Sequence, residues 1–216
     1  MPRVKRSSLP IILASTSPRR IELMAQAMIS VDVRSPVAEE FRRRGESPRR
    51  MVKRLAFDKA SSLASQALKA YPQSLIIGAD TIVVAPDRRT VLGKPRTPAE
   101  AIRMLGQLVG KTHQVLTGYC ILTVERGRAT RALSRVVASQ VKMRKVPRVV
   151  IDQYVASGEP MDKAGGYGAQ GSGMVLIERI GGSYTNVVGL PMAQLLADLE
   201  AEFGILPFRA TPSGHR

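Results

Sequence analysis

The sequence predicts an α/β fold with two lobes around a central cleft, on three observations. Short apolar runs at 9–14 and 75–85, the second rich in β-branched residues, read as buried strands. Between and after them lie amphipathic segments opened by Ser17-Pro18, Ser47-Pro48 and Thr97-Pro98, which read as helix starts. Strands and helices mix without a strict β–α–β alternation, and the chain shows no internal repeat, low-complexity segment or linker. At 216 residues and 44% hydrophobic content the chain is long enough for one large domain or two small lobes with a shared core. Residues 1–216 are read as one domain of two lobes, with a frayed tail over 207–216.

The first strand breaks at Ser15-Thr16-Ser17. Pro18 then opens a helix with Ile21, Met24, Ala25 and Met28 as its apolar face. Ser17 is placed as the N-cap and Pro18 as the first helical residue, where the missing N–H had no partner anyway. This unit gathers hydroxyls, backbone N–H groups and the guanidinium groups of Arg19 and Arg20 at a helix N-terminus. That suits a phosphate, and it equally describes a good helix start with two solvated arginines. Residues 31–35 alternate like a strand that Pro36 ends. Glu39 and Glu40 follow, either as metal ligands or as solvated acids, and solvation is the plainer reading of the pair alone. The second helix is expected from Pro48 to about residue 70, with Val52, Leu55, Ala56, Ala60, Leu63 and Ala67 on its apolar face. Lys59 falls on that same face, so it either snorkels out or faces a ligand.

The run 75–85 carries Gly78-Ala79-Asp80 in its middle. An ionised carboxylate among β-branched residues is costly unless a cation or metal pairs with it. Asp80 either serves a site in this way or caps a neighbouring turn; buried acids in such strands tend to be functional. Gly78 lets another group approach the backbone closely. After a turn at 86–89, Pro95 holds Lys94 extended. The third helix carries Ala101, Ile102, Leu105 and Leu108 and stops by Gly110. Residues 113–124 and 132–146 read as antiparallel strands around a turn at 125–128. A short helix at 147–157 closes at Gly158. The Gly-rich stretch 159–173 is not a P-loop, because no Gly-Lys-Ser/Thr ends it, and not a dinucleotide fingerprint, because no strand leads directly into it. It says only that backbone there lies close to something. A strand at 174–180 and a last helix with Leu195, Leu196, Leu199 and Phe203, stopped by Gly204, complete the chain.

The net charge of +16, from 33 basic and 17 acidic residues, points to polyanionic partners, although an arginine-rich composition also follows from genome bias. Nucleic-acid binding is not expected. Zinc spacings, aromatic RNA-binding patterns and basic zippers are absent, and 4% aromatics without Trp leave few stacking platforms. A single cysteine, Cys120, excludes an internal disulfide, fits a reducing compartment and reads as core. His113 and His215 stand far apart without metal-ligand spacing. The apolar run after the basic N-terminus is too short for a signal peptide and no stretch approaches a membrane span, so a cytoplasmic protein is expected.

Six motifs stand in order over residues 13–191: Leu13-Ala-Ser-x-Ser-Pro-Arg-Arg20, Gly78-Ala-Asp-Thr81, Gly93-Lys-Pro95, Thr117-Gly118, Gly158-Glu-Pro-x-Asp-Lys-Ala-Gly165 and Gly182-Ser-Tyr-x-Asn-Val-Val-Gly-Leu-Pro191. Together they resemble the Maf family, nucleoside triphosphate pyrophosphatases first named for septum inhibition. The resemblance implies a two-lobed mixed-sheet fold similar to the inosine triphosphate pyrophosphatases. It also implies hydrolysis of a nucleoside triphosphate to monophosphate and pyrophosphate in the cleft, assistance by a divalent cation (Mg²⁺ or Mn²⁺), and a homodimer. Asp80 matches the family's proton acceptor. Ser15, Arg20, Lys59 and Lys94 match polar and cationic positions of the phosphate site, and Lys163 of the fifth motif joins the substrate-binding set. Glu40 matches the acid that accompanies Asp80 as a metal ligand, with Glu39 as the other candidate. Arg19, Thr81 and Gln170 match a subgroup acting on dTTP and UTP, whereas the subgroup acting on 7-methyl-GTP carries Trp, Gln and Glu there. A side-chain amide such as Gln170 can both donate to and accept from a uracil or thymine edge. The competing expectations are a 7-methyl-GTP or modified-nucleotide pyrophosphatase, and a basic protein that binds nucleic acid or a division partner.

Overall fold

The computed structural model describes residues 9–39, 41–64, 71–126 and 128–208. The strands are β1 (Ile11–Ala14), β2 (Asp32–Arg34), β3 (Gln73–Val84), β4 (Val91–Leu92), β5 (Thr112–Glu125), β6 (Arg128–Met143) and β7 (Ile177–Gly181). The helices are α1 (Pro18–Gln26), α2 (Pro48–Ser61), α3 (Pro98–Leu108), α4 (Arg148–Ala156), α5 (Tyr184–Val188) and α6 (Met192–Phe203). Three 3₁₀ turns, Glu159–Asp162, Ala164–Gly166 and Gly171–Leu176, lie between α4 and β7. All the strands form one mixed seven-stranded sheet in the order β2-β1-β3-β5-β6-β7, with β4 on the far end of β3. β1 runs parallel to β2 and β3, so each of those links crosses over through a helix, first α1 and then α2. From β3 onward the neighbours are antiparallel and join by turns or short connections.

β3 is buried on both faces, as its unbroken β-branched run requires. Its odd positions Leu75, Ile77 and Ala79 pack with Met24 of α1 and Leu195 and Leu199 of α6. Its even positions face α2: Ile76 packs with Ala56 and Ala60, and Ile82 and Val84 pack with Val52. Farther along, Val83 and Val115 belong to a separate cluster built on α3 and α4. The core is therefore divided, and the cleft opens between its parts.

Two glycines set the height of α2 over the sheet. A Cβ at Gly78 would press into the Ala56 carbonyl oxygen and lie 2.6 Å from Ala60 N. A Cβ at Gly118, which pairs with Asp80 across the sheet, would press into the Val52 carbonyl and lie 2.8 Å from its carbon. The helix backbone rests directly on β3 and β5 because neither strand has a side chain there.

Four expectations need correction. The buried stripe of α1 is Arg20, Leu23, Met24 and Ala27, one residue out of register with the predicted one; Ala25 is exposed, and Met28 leaves the helix with φ +55° and stands 51% exposed. Helix α2 ends at Ser61, where the Ser62 hydroxyl donates to the Lys59 carbonyl at 2.8 Å; the expected continuation through Ala67 lies outside the described residues. Residues 174–176 form the end of a 3₁₀ turn, and the strand starts only at Ile177. The segment before Pro191 contains α5, for which the sequence pattern gives no helix. The expected frayed tail falls outside the described residues from 209 on, while Phe208 N–H donates to the Ala27 carbonyl at 2.9 Å. Among the described residues no helix is long and apolar enough to cross a membrane.

Candidate active site

Asp80 occupies an even position of β3 and so points to α2, where Lys59 sits on the buried stripe. Lys59 Nζ donates to Asp80 Oδ1 at 2.7 Å, and each side chain is only 9% exposed. Lys59 does not snorkel to the surface. It offsets the charge of a carboxylate that could not otherwise be buried among Ile76, Ile82 and Val84.

Thr81, the next residue, points to the opposite face and meets Arg20. Arg20 is 8% exposed and distributes its donors over one strand, β3, and two loops, those that follow β1 and α5. Nε donates to the Gly189 carbonyl at 2.8 Å and Nη1 to the Ala79 carbonyl at 2.9 Å. Nη2 reaches Thr81 Oγ1 at 3.0 Å, and Nη1 also approaches Ser15 Oγ at 3.4 Å. Thr81 Oγ1 bonds in turn to Thr117 Oγ1 at 3.0 Å and donates to the Gly189 carbonyl at 3.2 Å. Arg20 thus ties the loop after β1, β3 and the segment after α5 together, which the two-arginine pattern does not suggest. Ser17 occupies the N-cap position of α1, yet its side chain makes no capping bond; instead its N–H donates to Ser15 Oγ at 3.1 Å.

Two adjoining cavities surround this centre. One, of about 330 Å³, is lined by Ser15, Thr16 and Ser17, the start of α1, Pro36 and Ala38. The other, of about 320 Å³, is walled by Leu55, Val83, Leu92, Val115 and Val188 and closed on one side by residues 167–170. Both are lined by Arg19, Arg20, Lys59, Lys94 and Asp162, and Asp80 lines the second. The volumes fall at the lower end of the range of small-molecule sites. One chamber is polar and cationic; its neighbour shares those cations and adds an apolar wall and a single side-chain amide, Gln170.

The cleft brings together Ser15, Arg19, Arg20, Lys59, Asp80, Thr81, Lys94, Lys163 and Gln170 of the expected set. Glu40 lies outside the described residues, and Glu39 is exposed. Asp162 is a cleft residue that sequence reasoning passed over, although its motif was recognised. It accepts from Arg19 Nη1 at 3.1 Å and Lys163 Nζ at 2.6 Å. Burial pushes the Asp162 carboxyl up, but the bonds from Lys163 and Arg19 outweigh that and hold it below the usual carboxylate range. Lys163 also donates to the Glu159 carbonyl at 2.7 Å.

Among the described residues no three His, Cys, Asp or Glu side chains cluster to hold a metal. The acids that line the cleft there are Asp80 and Asp162, and Asp162 is tied to two cations. Such a donor set forms no all-protein cage. It fits a hard cation of the Mg²⁺ type, which takes one or two carboxylates and leaves its other positions to water and phosphate oxygens.

The chain is 41% identical to a dTTP/UTP pyrophosphatase of Syntrophus aciditrophicus over 198 residues, 92% of each chain. It is 43% identical to a dTTP/UTP pyrophosphatase of Geobacter sulfurreducens over 88% of this chain and 94% of that one. Among solved structures it is similar to a HAM1 protein from Coxiella burnetii at 16% identity and a TM-score of 0.44, over 78% of this chain and 80% of that chain. Residues 10–202 match the family model described as Maf-like protein, and with nearly the whole fold inside that match the chain belongs to the Maf family.

Proposed function

We propose that this protein hydrolyses dTTP and UTP to the nucleoside monophosphate and pyrophosphate, with Asp80 as the general base. The observation that carries the reading is the position of the Lys59–Asp80 pair, with Lys59 lining both chambers and Asp80 facing the one that adds an apolar wall to the shared cations. A triphosphate suits the first chamber and a nucleoside the second, which puts the α-phosphate beside Asp80. The similarity to two dTTP/UTP pyrophosphatases supports the same reaction.

In this reading Asp80 takes a proton from water, the water oxygen attacks the α-phosphorus, and the bond from that phosphorus to the oxygen bridging to the β-phosphate breaks. Lys59, Lys94 and Arg19, with the N-terminus of α1, offset charge on the phosphates. Ser15 offers a hydroxyl there, and Lys163 holds Asp162 at the rim. Arg20 acts from below by fixing Thr81 and the Gly189 carbonyl, so its part is to shape the floor of the cleft. Glu40 and Asp80 would hold a divalent cation, Mg²⁺ or Mn²⁺, which when bound supplies further neutralisation of phosphate charge. Gln170 is assigned to the pyrimidine edge.

The test is pyrophosphate release with Mg²⁺ from dTTP, UTP, CTP, GTP and 7-methyl-GTP, with Asp80→Asn beside the wild type. Turnover of dTTP and UTP that Asp80→Asn abolishes, with nucleotide binding retained, is the expected result. Turnover confined to 7-methyl-GTP would move the protein to the other subgroup. A folded protein inactive on every nucleotide would leave its +16 charge as the main clue and favour a polyanion-binding role.

A further inference from the structure

The Gly-rich stretch closes on the protein itself. Glu159, at the start of the first 3₁₀ turn, extends its carboxylate beneath residues 168–173. Its Oε2 accepts the Ser172 N–H at 2.8 Å and its Oε1 accepts the Gly173 N–H at 3.0 Å. Oε1 also accepts the Tyr154 O–H at 3.1 Å, and Tyr154 Oη accepts the Gly168 N–H at 3.2 Å. Both flanks of the segment that carries Gln170 therefore hang on one carboxylate and the tyrosine bound to it.

The glycines are what make this seat possible. A Cβ at Gly173 would lie 2.6 Å from Tyr154 Oη and 2.7 Å from Gly168 N. At Gly168 it would lie 2.8 Å from the Gln170 carbonyl oxygen and 2.8 Å from Lys163 Cε. At Gly171, with φ +70°, it would lie 2.9 Å from Glu159 Oε2. The backbone of Glu159 is fixed in turn by Lys163 Nζ on its carbonyl. Burial pushes the Glu159 carboxyl up, but the N–H groups of Gly173 and Ser172 and the Tyr154 hydroxyl outweigh it and keep the group below the usual carboxylate range.

We infer that Glu159 is a positioning residue for base selection: by holding residues 168–173 it sets where Gln170 presents its amide to a pyrimidine ring. The inference rests on the dTTP/UTP reaction proposed above. A carboxylate suits this place because it only accepts, and every group it meets there is a donor. A side-chain amide of the same size would turn its NH₂ toward at least one N–H.

The experiment combines Glu159→Gln, Gln170→Ala and the double variant, assayed on dTTP and dCTP, with amide hydrogen exchange on the nucleotide-free proteins. In Glu159→Gln the amides of 168–173 should exchange about tenfold faster or more. Selectivity for dTTP over dCTP should fall toward that of Gln170→Ala, with KM rising more than kcat falls. The double variant should be no less selective than Gln170→Ala alone, because the two residues act through one contact. Tyr154→Phe, which removes only the hydroxyl link to Gly168, should move every readout the same way and less far. Faster exchange with unchanged selectivity would overturn the inference, as would unchanged exchange or an equal loss of kcat on both nucleotides. A wild type that turns over neither dTTP nor UTP would overturn the proposed reaction first, and this inference with it.

Discussion

Lys59 Nζ and Asp80 Oδ1 meet at 2.7 Å inside the protein, from a helix and a strand that Gly78 and Gly118 allow to touch backbone to backbone. The contact makes the carboxylate tolerable in its apolar strand and leaves it facing one chamber beside Lys59, which lines both. Removing one partner leaves the other charge buried, which costs about 3–5 kcal/mol for pairs of this kind. Lys59→Met should lower stability by that order in urea unfolding and reduce turnover about a hundredfold or more. The double variant Lys59→Met, Asp80→Asn should recover most of the stability and none of the activity. Equal stability of single and double variants would show that the pair does not hold α2 to β3.

Gly78→Ala tests how the pair is brought together. The added methyl group would press into the Ala56 carbonyl, so α2 must rise from the sheet. Overpacking of this sort costs about 1–3 kcal/mol. Because Lys59 lies one turn beyond Ala56, activity should fall further than the stability loss accounts for at temperatures where the variant is fully folded. A variant as active as the wild type would mean that the separation of Lys59 and Asp80 is not critical.

Arg20→Lys separates two readings of that arginine. An ammonium cannot reproduce the fork that reaches the Gly189 and Ala79 carbonyls and Thr81 Oγ1. Each buried carbonyl left without a donor costs about 1–3 kcal/mol. The nucleotide-free variant should therefore unfold at clearly lower urea concentration. An unchanged midpoint with a raised KM would return Arg20 to the role of a simple phosphate contact.

The same arginine shows where the sequence was legible and where it was not. Buried strands announce themselves by composition, so β1, β3 and β5 stand close to where their residues put them, whereas the more exposed β6 runs Arg128–Met143 and not the expected 132–146, with a tighter turn than 125–128. The apolar stripe of α1 is shifted by one residue from its apolar periodicity because neither reading of Arg20, phosphate contact or solvated side chain, makes it part of a packed face, whereas a guanidinium with enough carbonyl acceptors completes the stripe with Leu23, Met24 and Ala27. Helix α5 was missed because what holds it is distant in sequence: Asn186 Nδ2 donates to the Val115 carbonyl and to Ser139 Oγ, and Thr117 Oγ1 donates to the Asn186 carbonyl. Asp80 and Lys59 are each misfits among apolar neighbours in the sequence, and two misfits on facing elements solve each other. Glu159 carries no such mark, since an acid beside Pro160 looks like any solvated turn until the loop above it is seen.

His113 gives the fold a measurable pH dependence. Its ring is buried on β5, with Nε2 2.7 Å from Tyr167 Oη and with Nδ1 lacking a hydrogen-bond partner among the described residues. Burial pushes its pKa from the ordinary 6.5 down to about 4. The native ring stays neutral in that interval while the unfolded chain takes up a proton, so stability rises with pH and is lost as pH falls from 6.5 toward 4. The loss should reach about 3 kcal/mol at the lower end. Glu46, held down to about 2 by Arg54, contributes in the same direction only below its ordinary 4.5, so the interval from 6.5 to 4.5 separates the two. Urea unfolding of the wild type and His113→Gln across that interval checks the assignment. The curves should converge as pH falls, because only the wild type pays to keep a histidine neutral; parallel curves would mean that His113 titrates alike in both states.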